Sequence, residues 1–185
     1  MLLIDGNSLL NRAFYALPPL NNAKGEPTQA VYGFTTMLIK AIENFKPKYI
    51  AVAFDLPKPT FRHTLYGEYK AGRKKMPDEL AVQIPILKEQ LRLMNVAIVE
   101  KEGFEADDII GTLASRSDVM TYVITGDRDS LQLINDTTKV VLTKRGITVL
   151  MISICFPRKS LLIGSLRVSL KSVSKEVLYL LVMPG

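Results

Sequence analysis

Three short apolar runs end in the same way: Leu2-Leu3-Ile4 runs into Asp5, Tyr49 to Phe54 into Asp55, and Tyr122 to Gly126 into Asp127. Runs without polar alternation predict strands covered on both faces. Between them lie stretches of helical period. Val31, Phe34, Met37, Leu38, Ala41, Ile42 and Phe45 recur at the helical spacing and predict a helix over 31–45, ended by Lys46-Pro47. Leu80, Ile84, Leu87, Leu91 and Met94 mark a second helix over 78–94, with Pro85 as a kink or restart. Val96–Val99 predicts a further strand, Glu105–Ser117 a helix that opens on acidic residues, and Asp129–Ile134 a short helix. Val140–Thr143 and Ile147–Val149 predict a hairpin around Lys144-Arg145-Gly146. Strands alternating with crossover helices give an α/β fold with a mainly parallel central sheet flanked by helices. The stretch 55–79 keeps no period, and an aperiodic connection of that length is usually functional.

Composition narrows the class. A chain of 185 residues, 48% hydrophobic and 23% charged, is that of a folded globular domain, which excludes a disordered tail, a collagen-like repeat and a disulfide-built miniprotein. One cysteine, Cys155, leaves no internal disulfide, and one histidine, His63, leaves no zinc site of the usual ligands. Asp5 interrupts the first apolar run before a signal-peptide core develops, and no apolar run approaches the ~20 residues of a membrane span, so a cytoplasmic protein is expected. Residues 1–149 hold 19 basic and 17 acidic residues, whereas 150–185 hold five basic residues and only Glu176. Charge relevant to a partner must therefore be sought in local patches.

Strand C-terminal ends of an open parallel sheet share one crevice, so Asp5, Asp55 and Asp127 are expected to converge. Glu105, Asp107 and Asp108 add an acidic helix start, and Asp129 neighbours Asp127. Each Asp taken alone reads better as a helix cap or turn residue than as a ligand. Three strand-terminal Asp residues beside an acidic cluster instead favour a site for hard divalent cations, Mg²⁺ or Mn²⁺, which offset the mutual repulsion. Two such ions roughly 4 Å apart activate water and stabilise an in-line displacement at phosphorus. From Lys58 to Lys75 the cations Lys58, Arg62, Lys70, Arg73, Lys74 and Lys75 face only Glu68 and alternate with Phe61, Tyr66 and Tyr69. Cations for phosphates and rings for bases are the combination that binds single-stranded nucleic acid. His63 reads as an ordinary polar residue, and Cys155 has no partner for nucleophilic catalysis.

Seven ordered blocks carry a resemblance: Leu3-Ile-Asp-Gly-Asn-Ser8, Ala30-Val-Tyr-Gly-Phe34, Val52-Ala-Phe-Asp55, Phe61-Arg-His63, Tyr69-Lys-Ala-Gly-Arg73, Glu105-Ala-Asp-Asp108 and Thr125-Gly-Asp-Arg-Asp129. Over residues 1–149 the chain resembles the 5′-nuclease domain family of bacterial DNA polymerase I. The resemblance implies a PIN-type, flap-endonuclease-like fold with a basic arch over the strand ends. It implies metal ligands at Asp5, Asp55, Glu105, Asp107, Asp108, Asp127 and Asp129, with two Mg²⁺ (or Mn²⁺) ions in the complete family. Lys70 and Arg73 are implied to stabilise the reacting phosphate, and Arg12, Arg62, Tyr69, Lys74 and Lys75 to bind DNA, with Tyr15 beside Arg12. The implied reaction is phosphodiester hydrolysis near a 5′ end or flap. The implied partner is DNA with a single-stranded 5′ end, or an RNA primer on DNA, met by a monomer without a membrane.

The pattern stops near Leu150. Residues 150–185 contain no Asp, no Ser-Asp-Asn and no glycine-rich hairpin, where the family carries a second-metal motif and a helix-hairpin-helix module. This divergent tail is read as an out-of-frame or otherwise replaced end, with a nuclease of reduced activity expected. The alternative is a catalytically impaired nucleic-acid-binding fragment. A phosphatase using Asp127 and Asp129 leaves the basic aromatic stretch, Asp5 and Asp55 unexplained.

Overall fold

Alternate residues of a strand face opposite sides of its sheet, and in β1 (Leu2–Asp5) this alternation divides the core in two. Leu2 and Ile4 join the layer formed by α1 (Gly6–Ala16), α2 (Gln29–Phe45) and α5 (Gln83–Leu93). Leu3 faces the other way, toward α6 (Ala106–Ser115) and the 3₁₀ helix Arg128–Leu133. The computed structural model describes residues 1–72 and 75–143 and the backbone of 149–152.

Among the described residues, six strands form one sheet: β1, β2 (Ile50–Ala53), β3 (Ala97–Val99), β4 (Thr121–Thr125), β5 (Thr138–Thr143) and β6 (Val149–Ile152). Their order is β3-β2-β1-β4-β5-β6, every pair parallel except β5–β6. The expected mainly parallel α/β architecture is therefore present. The hairpin pairs Thr143 with Val149 and Val140 with Ile152, so β6 extends past the point at which the sequence pattern stops. The turn expected at Lys144-Arg145-Gly146, residues 147 and 148 of the expected second strand, and residues 153–185, including Cys155, lie outside the described residues.

The periodic helices form where expected. Phe34, Met37, Leu38 and Ala41 of α2 are buried, and Lys46 ends the helix in a left-handed conformation with φ of 42°. The segment 78–94 splits into α4 (Asp78–Ala81) and α5 at Val82, placing Pro85 in the first turn of α5, where no backbone N–H is needed. Two helices were not expected. In α1, Gly6, Asn7 and Ser8 weaken the local helical signal, but Asp5 caps the helix and Leu9, Leu10 and Ala13 bury against α2. The approach is close because Gly33 has no side chain: a Cβ there would lie 2.8 Å from that of Ala13. The short α3 (Phe61–Leu65) interrupts the aperiodic stretch and is closed by a capping box between Thr60 and His63. His63 is thus occupied structurally, its Nδ1 accepting from Thr60 N at 3.1 Å.

Candidate active site

The strand order reverses at β1, and the crevice outside the strand ends at such a switch point is where open α/β sheets bind ligands. Here it forms a cleft of about 980 Å³. Asp5 at the end of β1, Asp55 after β2, Asp127 and Asp129 after β4, and Glu105 and Asp107 at the start of α6 all line it. Residues separated by up to 124 positions thus share one concavity. Arg12, Tyr15, Tyr69 and Lys70 line it too. Asp108 is not part of the lining; it belongs to the same helix start but is engaged by Arg62.

Backbone and polar side chains fix the carboxylates. Asp5 Oδ1 accepts from Ser8 N at 3.0 Å, and Oδ2 accepts from Thr125 Oγ1 at 2.9 Å. Asp55 Oδ1 accepts from Ala106 N at 2.7 Å, in the first turn of α6, while Asn7 Nδ2 donates to Oδ2 at 3.2 Å. Anions are favoured at that helix start by the unpaired N–H groups and the macrodipole. Asp127 Oδ1 accepts from Asp129 N at 2.9 Å. The capping role and membership of the cleft therefore coincide in Asp5, Asp127 and Glu105, which caps α6 reciprocally with Asp108.

The described cations of the basic stretch all have carboxylate partners. Arg62 makes a bidentate pair with Asp108, two bonds of 2.7 Å, and stands 3.6 Å from Glu105 Oε2. Lys70 Nζ donates to Glu105 Oε1 at 2.6 Å and Tyr69 Oη to Oε2 at 3.1 Å. Lys58 pairs with Glu102, and Lys75 with Asp78 at 3.3 Å, both on the surface. Arg73 and Lys74 lie outside the described residues. The basic stretch thus reaches the cleft through Tyr69 and Lys70, whereas Lys75 does not.

Electrostatics divide the acids. Burial pushes Asp5 up to about 6, against the stabilising bonds from Ser8 and Thr125, with Asp107 and Asp55 adding repulsion. Asp107 is also raised, first by withdrawal from water and then by Asp127, Asp55, Glu105 and Asp108. Asp108 is lowered, chiefly by its bonds to Arg62. Among the described residues, no three His, Cys, Asp or Glu side chains are placed to hold one ion together. The donor set nonetheless fits a hard divalent cation in kind. It is all oxygen, holds Asp5 and Asp107 raised first by burial and then by neighbouring carboxylates, and leaves Asp5, Asp55, Asp107 and Asp127 without a cationic partner among the ion pairs of the described residues.

Three polar residues of the site had no functional reading in the sequence. Asn7, Ser8 and Thr125 sit inside the family blocks, but their bonds to Asp55, Gly126 and Asp5 span the fold and leave no local spacing to read.

Comparison with known proteins gives the family. The pattern described as 5′-3′ exonuclease, N-terminal resolvase-like domain, matches residues 1–154. DNA polymerase I of Bacillus subtilis is 49% identical over 151 residues, covering 80% of this chain and 17% of that protein. DNA polymerase I of Mycobacterium tuberculosis is 48% identical over 155 residues, 81% of this chain and 17% of that one. The chain therefore spans 17% of the length of these relatives. A bacteriophage T5 5′-exonuclease with bound zinc has the same fold, with a TM-score of 0.54 at 19% identity over 76% of this chain and 54% of that one. With the sequence match over residues 1–154 and the shared fold in agreement, the chain belongs to the 5′-3′ exonuclease family, through its N-terminal resolvase-like domain.

Proposed function

We propose that this chain hydrolyses DNA phosphodiester bonds near a single-stranded 5′ end or flap, in a reaction that depends on Mg²⁺ or Mn²⁺. The observation that carries the reading is the gathering of Asp5, Asp55, Glu105, Asp107 and Asp127 in one cleft that Tyr69 and Lys70 also enter. Asp5, Asp55, Asp107 and Asp127 would hold the cations, which when bound would lower the pKa of water and offset negative charge on the phosphate oxygens. Lys70, already at the cleft through Glu105, would turn to the negative charge that develops on the phosphate. Arg12 would bind a flanking phosphate and Tyr15, 68% exposed on the same helix face, would stack a base. Arg62 would hold Asp108 and Glu105 in place, Arg73 would join Lys70 in stabilising the reacting phosphate, and Lys74 and Lys75 would bind the polyanion.

The same substrate could be an RNA primer paired to DNA, and the chain would act as a monomer. A labelled 5′-flap duplex incubated with Mg²⁺ tests the reading, with Asp127→Asn beside the wild type. Cleavage that needs the metal and falls sharply in the variant is expected. Flap binding without cleavage would leave the second reading, a binding fragment, which the engagement of Glu105 and Asp108 by cations favours.

A further inference from the structure

Two consecutive backbone amides at the exit of β4 are each taken by a hydroxyl, and the two residues that supply them both bond one carboxylate, Thr125 through its hydroxyl and Ser8 through its backbone N–H. Asp127 N donates to Thr125 Oγ1 at 3.0 Å, and that hydroxyl donates its own proton to Asp5 Oδ2 at 2.9 Å. Gly126 N donates to Ser8 Oγ at 2.9 Å, and Ser8 N donates to Asp5 Oδ1 at 3.0 Å. Thr125 is wholly buried and Asp5 is 7% exposed. A carboxylate held at both oxygens cannot rotate freely, and the turn that carries Asp127 hangs from the same group. Gly126 permits the closure, since a Cβ there would stand 2.8 Å from Ser8 Oγ.

We infer that Thr125 is a positioning residue whose single hydroxyl fixes the β4 exit turn, and with it Asp127, against Asp5. The inference rests on the metal-dependent reading above. It assigns Thr125 no contact with substrate. Its effect is on how well the two carboxylates, from different strands, can serve a divalent cation without rearranging. Groups that orient ligands from behind commonly change metal affinity ten- to a hundredfold when removed. Thr125→Val keeps the shape and deletes both bonds, whereas Thr125→Ser keeps the hydroxyl.

The test combines Mn²⁺ calorimetry on the full chain, amide hydrogen exchange without metal, and flap cleavage. Thr125→Val is expected to weaken Mn²⁺ binding about tenfold or more, speed exchange at Asp127, and lower kcat with KM within about twofold. Thr125→Ser should restore all three to within about threefold. Wild-type Mn²⁺ affinity and Asp127 exchange in a folded Thr125→Val protein would overturn the inference. If that variant does not fold, Thr125→Ala, which deletes the same two bonds, is read instead: a several-fold loss of Mn²⁺ affinity with faster Asp127 exchange supports the inference, and no change overturns it. A wild type that binds Mn²⁺ without cleaving would defeat the nuclease reading alone, Thr125 then being judged on affinity and exchange. A wild type that binds no Mn²⁺ defeats both.

Discussion

Lys70, in a left-handed backbone conformation with φ of 61°, sets its ammonium 2.6 Å from Glu105 Oε1. A non-glycine residue pays conformational strain to stand there, which is common where a side chain must be aimed. The arch cation thus rests on a carboxylate of the cleft it is expected to serve. Replacing Lys70 by Ala should lower single-turnover flap cleavage about a hundredfold, the scale for one charge-stabilising donor, while DNA affinity falls far less. Rapid-quench rates beside fluorescence anisotropy would read both. An unchanged rate would remove Lys70 from the reaction.

Asp5 predicts a stability change of definite sign. Its carboxyl is near 6 in the fold and ordinarily 3.8, so between those values the folded state binds more protons than the unfolded one. Stability conferred by this group therefore falls as pH rises from about 4 to 6 and stays low above that, a cost on the order of 3 kcal/mol. Urea unfolding in EDTA across pH 3.5–7 should show Asp5→Asn gaining on the wild type through that window. Parallel curves would contradict the assignment.

Gly6 predicts an effect of packing on the site. A Cβ at this position would stand 2.5 Å from the Phe54 ring, and Phe54 immediately precedes Asp55. Gly6→Ala should cost about 1–3 kcal/mol, the range for overpacking, measurable by denaturant titration. Wild-type stability would mean that Phe54 can move freely.

The surface cations predict a change in salt dependence rather than in rate. Lys75 is exposed and pairs only loosely with Asp78, and Lys74 adjoins it. Changing both to Ala should reduce the slope of log affinity against log salt by about two if each meets a phosphate. Flap binding across a salt series decides this, and an unchanged slope removes both from the interface.

The parts legible in the sequence were those with a local signature. Leu2-Leu3-Ile4 before Asp5 and the apolar face of α2 announce themselves by period, and the strand-end rule places Asp5, Asp55 and Asp127 together before any contact is seen. What escaped depends on tertiary partners. The α1 helix begins in poor helix formers and is held by its cap and by Gly33. Gln83 accepts from Ala30 N and Val31 N, tying α5 to the start of α2, a role no spacing encodes. The pairing of Arg62 with Asp108 is likewise invisible, since a loop cation and a helix-start acid 46 positions apart carry no spacing that links them.

The central claim is that acids from separate strands jointly form a cation site. Mn²⁺ binding measured by calorimetry on the wild type, Asp55→Asn, Asp127→Asn and the surface control Glu26→Gln tests it most directly. Saturable binding that is lost or weakened at least tenfold in the two cleft variants, and kept in Glu26→Gln, is predicted. Equal binding by all four proteins would contradict it.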